Sequence, residues 1–171
     1  MAEEIFDIVD DRDEVVGQMP RREVHRLGLK HRATHILVFN ARGECFLQQR
    51  SLAKDCSPGL WDSSASGHLD TGETYDACAV RELGEELGIA SSVKPVRLFK
   101  VEASSATGHE FCWVYRLDHE GPLQLQASEV RGGAWFTPEA IIQWIARRPS
   151  DFSGAFLRIW AEIVVKRLVA T

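Results

Sequence analysis

No CxxC pair occurs anywhere in this chain: its four cysteines, Cys45, Cys56, Cys78 and Cys112, stand far apart. That spacing excludes a zinc knuckle and a redox dithiol, and reads as reduced core thiols in a cytoplasmic protein. No apolar run is long enough to span a bilayer. The opening MAEEIFDIVD is acidic and lacks the apolar stretch of a secretory signal. Positive charge is in short supply too, with a net charge of −5, which excludes a general nucleic-acid backbone binder. Small anionic substrates are not excluded, because a bound metal ion can reverse the local field. There is no internal repeat, low-complexity tract or clear linker. What remains is ordinary: 171 residues, 44% hydrophobic and 26% charged, enough for one domain with its own core.

The most informative stretch is Gly67 to Ile89, GHLDTGETYDACAVRELGEELGI. On a helix, Glu82, Glu85 and Glu86 fall within roughly 100° of arc. Val80, Leu83 and Leu87 lie opposite, so they are expected to bury against a sheet while the acids project outward. Carboxylates crowded this way repel one another and weaken an isolated helix. A divalent cation would relieve the repulsion, and oxygen-rich clusters suit Mg²⁺ or Mn²⁺ rather than a metal that prefers thiolate. Three glutamates alone would be read first as a solvated acidic helix face.

Around this stretch the pattern predicts a hairpin from residues 4–10 and 15–19, then a short helix after Pro20 ending at Gly28. A second hairpin joins residues 36–40 and 44–50, and residues 51–59 form a turn-rich loop. A helix runs from Thr74 to Leu87 with Gly88 as its C-terminal cap. Strands follow over residues 93–103, 110–117 and 132–136. Thr137-Pro138 opens a helix holding Ile141, Ile142, Trp144 and Ile145, and a last helix spans roughly 152–169. Strands on both sides of one helix, with further helices at the end, suggest an α/β fold with a mixed sheet between helical layers.

The ordered string Gly67, Glu73, Arg81-Glu82-Leu83, Glu85-Glu86, Gly88-Ile89 resembles the Nudix box at every defining position. The resemblance implies a Nudix-type α/β/α sandwich with a mixed β-sheet, the box forming a loop–helix–loop over residues 67–89. The whole of 1–171 would be one Nudix domain, with residues 1–30 an extension packed on it and 137–171 its C-terminal helices. It also implies Mg²⁺-dependent (or Mn²⁺-dependent) hydrolysis of a diphosphate linked to another group, often a nucleoside derivative. The implied metal ligands are Glu82, Glu85 and Glu86, joined by the Gly67 carbonyl, with Glu73 and Arg81 in support. An Arg81–Glu73 pair would fix the loop against the helix. The general base is open between a box glutamate and a loop acid such as Glu129.

The wider sequence, from EIFDIVDDRDEVVG through HRATHILVFN and LQQRSLAKDCSPGLWDSSASGH to about Thr137, resembles bacterial Nudix proteins related to isopentenyl-diphosphate isomerase. That likeness implies a second metal site on His25, His31, His68 and Glu110. Taken without that likeness, the same histidines read first as packing or loop residues. Two departures point away from isomerisation and toward hydrolysis. Ser66 stands where the isomerase has its catalytic cysteine, and Gly108 where it has a glutamate ligand. The alternatives are an isomerase-like enzyme or a Nudix-fold binding module with little catalysis. Arg50 and Lys54 are candidate phosphate-binding cations, against the reading of solvated surface charge. Trp61 is a candidate base-stacking residue, against the reading of a buried aromatic. The expected partner is a small diphosphate, with no membrane and no specific nucleic acid, and a homodimer follows only from the frequency of symmetric oligomers.

Overall fold

The structure, a computed structural model, describes residues 3–169, so the ends of the first and last expected segments lie outside the described residues. β1 (Ile5–Val9) and β2 (Val15–Pro20) form the first hairpin, antiparallel as the turn-forming acids between them predict. α1 (Arg21–Leu27) follows at once. The central strand β3 (His31–Phe39) starts five residues earlier than its apolar run suggests, because its polar first half is covered by other chain segments. β4 (Cys45–Arg50), β5 (Trp61–Asp62), β6 (Ala65–His68), β7 (Val96–Val101), β8 (Glu110–Asp118) and β9 (Val130–Phe136) complete a seven-stranded sheet. β3 and β8 run parallel, and the remaining neighbours pair antiparallel, so the sheet is mixed.

One edge of β3 is shared between two partners. Its last residues, Val38 and Phe39, pair with β4, whereas Ala33 to Ile36 pair with β6. The sheet therefore opens between β4 and β6. Ser64 stitches the fork: its Oγ accepts from the Val38 N–H at 2.7 Å and donates to the Phe46 carbonyl. Extra backbone donors and acceptors created by the split are thus satisfied, as buried polar groups must be.

Strand alternation sends side chains to two separate cores. Leu37 and Phe39 of β3 face α3 (Pro138–Arg147) and α4 (Gly154–Val165), meeting Ile141, Phe156, Ile159 and Trp160. Ile36 and Val38 face the other way, onto Cys78, Ala79, Leu83 and Leu87 of α2 (Tyr75–Leu87). The result is an α/β/α sandwich. Leu83 and Leu87 are fully buried, and each such side chain contributes about 1.5–3 kcal/mol by leaving water. Val80, expected to bury with them, is only half-buried. α2 begins at Thr74, whose side chain accepts from the Ala77 N–H, and ends at Gly88 in the left-handed region (φ 66°), as expected of a glycine cap. α4 is shorter than predicted. A turn at Pro149–Asp151 and the bridge from Phe152 to Trp61 take up the residues before it, and Ser153 caps it through the Phe156 N–H.

The N-terminal hairpin clasps the loop that leads into α2. Asp7 accepts from the Gly72 N–H at 2.9 Å, and Thr71 donates to the Ile5 carbonyl at 2.9 Å. Asp13, at the hairpin turn, accepts from Arg32 (2.6 Å), Tyr75 (2.8 Å) and Lys100 (2.5 Å).

Candidate functional site

At the fork of the sheet lies a cavity of about 510 Å³, lined from α1, β3, β6, α2, β8 and the loop after β4. Glu82 and Glu86 sit one helical turn apart on the α2 face that looks onto β6. They do not project outward as the sequence suggested. They are 8% and 2% exposed, and Glu85 alone of the three is solvent-exposed. The reason is the close passage of β6. A Cβ on Gly67 would overlap Oε1 and Cδ of Glu82 and stand 2.7 Å from Oε2, so only a glycine lets the carboxylate come down onto the strand.

Glu86 is held from two sides. Its Oε2 accepts from Gln48 Nε2 at 2.9 Å and from the Ser66 N–H at 3.0 Å. Burial nevertheless pushes its carboxyl well above the usual carboxylate range. Burial, and then the charge of Glu86, push Glu82 up likewise. Two adjoining carboxylates in this environment resist ionising together unless a cation joins them.

Arg81 ties the loop to the helix. Its Nε and Nη2 meet the two oxygens of Glu73 at 3.0 and 2.8 Å, the fork-on-fork pairing expected from the sequence. Nη2 also donates to the His68 carbonyl (3.0 Å), and Nη1 to Glu82 (2.6 Å) and Glu85 (3.2 Å). Hydrogen bonding to Glu73 holds the guanidinium even more firmly protonated than usual. Against burial, the same partner holds the Glu73 carboxyl below its ordinary range.

On the other side of the cavity, α1, β3, β6 and β8 bring His25, His31, His68 and Glu110 together, with one ligand atom of each within 4.8 Å of all the others. His68 Nε2 is 2.8 Å from Glu110 Oε1. His31 Nδ1 lies 2.9 Å from the Leu29 carbonyl, which can only accept, so Nδ1 carries a proton. Its buried Nε2 has no hydrogen-bond partner among the described residues and faces Glu110 Oε1 at 3.5 Å. A lone pair and a carboxylate oxygen so placed call for a proton or a metal ion between them, and anchoring of the remote ring nitrogen is the usual support of a metal-binding histidine. Burial, then His68 and His31, lower His25 to about 4, so it is neutral near pH 7 and free to ligate. Against burial, His68 and His31 hold the Glu110 carboxyl far below its ordinary range. Phe6 of the N-terminal hairpin covers the group, its ring 4.8 Å from that of His68.

Arg50 and Lys54 both line the cavity, but neither is a free surface charge. Arg50 donates to the Cys56 carbonyl (3.0 Å) and to Asp62 (3.3 Å), while Lys54 is ion-paired with Glu129, which also lines the cavity. Trp61 is not part of the cavity wall. It packs edge-on against Phe136 and Trp144, at 5.6 and 5.2 Å between ring centres, which favours the packed-aromatic reading of the two that the sequence left open. Gly108 sits in the left-handed region (φ 67°) beside the histidine group and offers no side-chain ligand. Cys56 is exposed, unlike the other three cysteines, so the expectation of four core thiols fails at that one.

Sequence reasoning missed Gln48 and His35. Gln48 shares the α2-facing side of β4 with Phe46, and a polar residue at such a core position is itself a signal. His35 lines the cavity with its Nδ1 2.8 Å from Ser63 Oγ. It is directly opposite Ser66 in the β3–β6 ladder, a pairing visible only once the strands are in register.

This architecture, with paired buried acids over a glycine strand, has clear relatives. A model described as the NUDIX domain matches residues 29–154, and the chain belongs to the Nudix family. It is by class a hydrolase of phosphorus-containing acid anhydrides, and the family works with divalent cations. A Nudix hydrolase of Pseudomonas aeruginosa is 38% identical over 142 residues, covering 82% of each chain. An isopentenyl-diphosphate Delta-isomerase of Serratia proteamaculans is 32% identical over 164 residues, 94% of this chain and 92% of that one. Among solved structures, one from Deinococcus radiodurans superposes with a TM-score of 0.76 at 31% identity, covering 84% of this chain and 90% of its own. The Nudix domain of Shewanella oneidensis NrtR, solved with ADP-ribose, shares the fold with a TM-score of 0.62 at 18% identity, over 88% of this chain and all of that one.

Proposed function

We propose that this chain, as a single Nudix domain, performs Mg²⁺-dependent hydrolysis of a phosphoanhydride in a small metabolite, a nucleoside diphosphate derivative being the favoured class. The observation that carries the reading is the pair of buried carboxylates, Glu82 and Glu86, seated over the side-chain-free strand at Gly67. In this reading Glu82, Glu85, Glu86 and the Gly67 carbonyl hold the cation, for which hard oxygen donors suit Mg²⁺ or Mn²⁺. When bound, the cation neutralises diphosphate oxygens and makes a coordinated water more acidic.

The protein's own groups do the rest. Gln48 and the Ser66 N–H fix Glu86, and Arg81 holds the box loop on the helix through Glu73, leaving Glu82 and Glu85 as the carboxylates it would yield to a cation. Arg50 and Lys54 turn from Asp62 and Glu129 to the incoming phosphate oxygens, replacing one anion by another. Releasing Lys54 also frees Glu129, which stands at the cavity with a box glutamate as the two candidates to take the proton of the attacking water. His25, His31, His68 and Glu110 hold a second cation, consistent with the orphaned His31 Nε2.

The test is a product assay by mass spectrometry with Mg²⁺ or Mn²⁺. It offers nucleoside diphosphate sugars, dinucleotides, coenzyme A, nucleoside triphosphates and isopentenyl diphosphate, with Glu86→Gln as control. Cleaved phosphate products that vanish in the control are expected. Full turnover in both Glu85→Gln and Glu86→Gln would refute the metal assignment. The assembled histidine group and the likeness to isopentenyl-diphosphate isomerases favour one second reading, allylic isomerisation. Ser66 and Gly108 oppose it, and a rearranged isoprenoid of unchanged mass would establish it.

A further inference from the structure

Cys56 stands on the loop between β4 and β5, at the wall of the cavity, whereas Cys45, Cys78 and Cys112 are buried. Its sulfur, a carboxylate oxygen of Asp55 and a ring nitrogen of His25 all lie within 4.8 Å of one another. The loop that presents them is pinned. Arg50 Nε donates to the Cys56 carbonyl at 3.0 Å. Arg21 bridges Asp55 (2.8 Å) to Glu4 (2.9 Å), joining the loop to the N-terminal hairpin. The backbone at Cys56 is therefore anchored beside the imidazole, while the Asp55 carboxylate is held nearby by an ion pair that a cation can displace.

A thiolate, an imidazole and a carboxylate with a fourth position open to water is a donor set for Zn²⁺, which accepts S, N and O ligands in tetrahedral geometry. The sulfur makes it a poor site for Mg²⁺. The box carboxylates on α2 are the reverse, all oxygen, so the two cations would sort themselves between the two walls of one cavity. We propose that His25, Asp55 and Cys56 form an inhibitory Zn²⁺ site at the rim of the cleft. Ligation releases the Cys56 thiol proton to solvent and draws Asp55 from Arg21, with no change of oxidation state. Inhibition follows from position. His25 also belongs to the group with His31, His68 and Glu110, so a rim cation competes for it. The Cys56 carbonyl holds Arg50, so a cation on that residue also restrains a side chain that must turn to phosphate.

The site itself does not depend on the hydrolase reading, although its inhibitory effect does. Co²⁺, an optically active stand-in for Zn²⁺, is titrated into the intact protein with Mg²⁺ present in excess. A sulfur-to-cobalt charge-transfer band is expected, displaced by Zn²⁺, absent in Cys56→Ser and at least about tenfold weaker in affinity in Asp55→Asn. In parallel, Zn²⁺ should inhibit the wild-type protein. Cys56→Ser should keep its basal turnover and need at least about tenfold more Zn²⁺ for the same inhibition. No band in the wild type, or a band that survives in Cys56→Ser, overturns the site. Equal Zn²⁺ inhibition of wild type and Cys56→Ser overturns its inhibitory role. Should no substrate on the panel be turned over, the band still decides the site, separating its failure from that of the proposed function.

Discussion

Replacing Gly67 by alanine adds one methyl group at the most crowded point of the site. The new Cβ would overlap Oε1 and Cδ of Glu82 and lie 2.7 Å from Oε2, where contacts to a Cβ below 3.0 Å are essentially never seen. The strand cannot yield easily, because Gly67 is locked opposite Thr34 in the β3–β6 ladder. The flexible end of Glu82 yields instead, by about 1 Å or more. Overpacking of this kind costs about 1–3 kcal/mol, and a movable carboxylate places the cost at the lower end. For a chain of this size that is a fall in Tm of about 2–4 °C. Function should suffer far more, since displacing a catalytic group by about 1 Å reduces turnover roughly 10²-fold. The assay is kcat at saturating Mg²⁺ beside the Mg²⁺ affinity and a thermal melt. Wild-type kcat and metal affinity in Gly67→Ala would refute the placement of Glu82 in the site. A collapse of the fold would refute the claim that Glu82, and not the strand, gives way.

Asp13→Ala should loosen the N-terminal hairpin and cost about 1–2 kcal/mol, allowing for the partial exposure of its two cations, with calorimetry as the check. Although burial raises it, hydrogen bonds from Lys100, Arg32 and Tyr75 hold the Asp13 carboxyl below its ordinary range. Its stabilisation is therefore present above the ordinary carboxylate range and lost as pH falls through the lowered value, so the variant should show a flatter acid limb in Tm against pH. Glu82 and Glu86 have the opposite sign. With a chelator present, the folded protein keeps protons that the unfolded chain has lost, so Tm should decline from about pH 5 to about pH 8, and saturating Mg²⁺ should remove most of that decline. A chelated protein with a flat or rising Tm in that range contradicts the reading. Trp160, 2% exposed on the core-facing side of α4, should cost about 3–5 kcal/mol on change to alanine, measured by denaturant unfolding.

Local chemistry was readable from the sequence wherever it was truly local. The turn between β1 and β2, the glycine cap at Gly88 and the Thr137-Pro138 helix start each depend on residues a few positions apart. The Arg81–Glu73 pair was readable because both lie in one short stretch. Glu82 and Glu86 were misdirected because a helical wheel fixes the angle between side chains but not which strand lies over which face. The clue was Gly67, whose missing side chain makes sense only once β6 is known to cross there. The histidine group draws on four separate elements, so spacing alone could not show that His25, His31, His68 and Glu110 meet, and only the resemblance to the isomerases named them together. The two readings of Trp61 stayed open for a related reason. Its neighbours Phe136 and Trp144 are remote in sequence, and aromatic packing across that distance leaves no periodic trace.

The parallel pairing of β3 with β8 sets the order in which the molecule can be made. His31 lies beside Glu110, and Phe39 beside Asp118, so the central ladder closes only after the intervening chain, with the whole of α2, has been synthesised. A nascent chain leaving the ribosome would expose one side of β3 throughout that interval, and contacts this distant in sequence form slowly. The histidine group spans the same pairing, so a cation that binds it prefers the completed ladder. Metal availability during translation would then act on the yield of folded protein as well as on its activity.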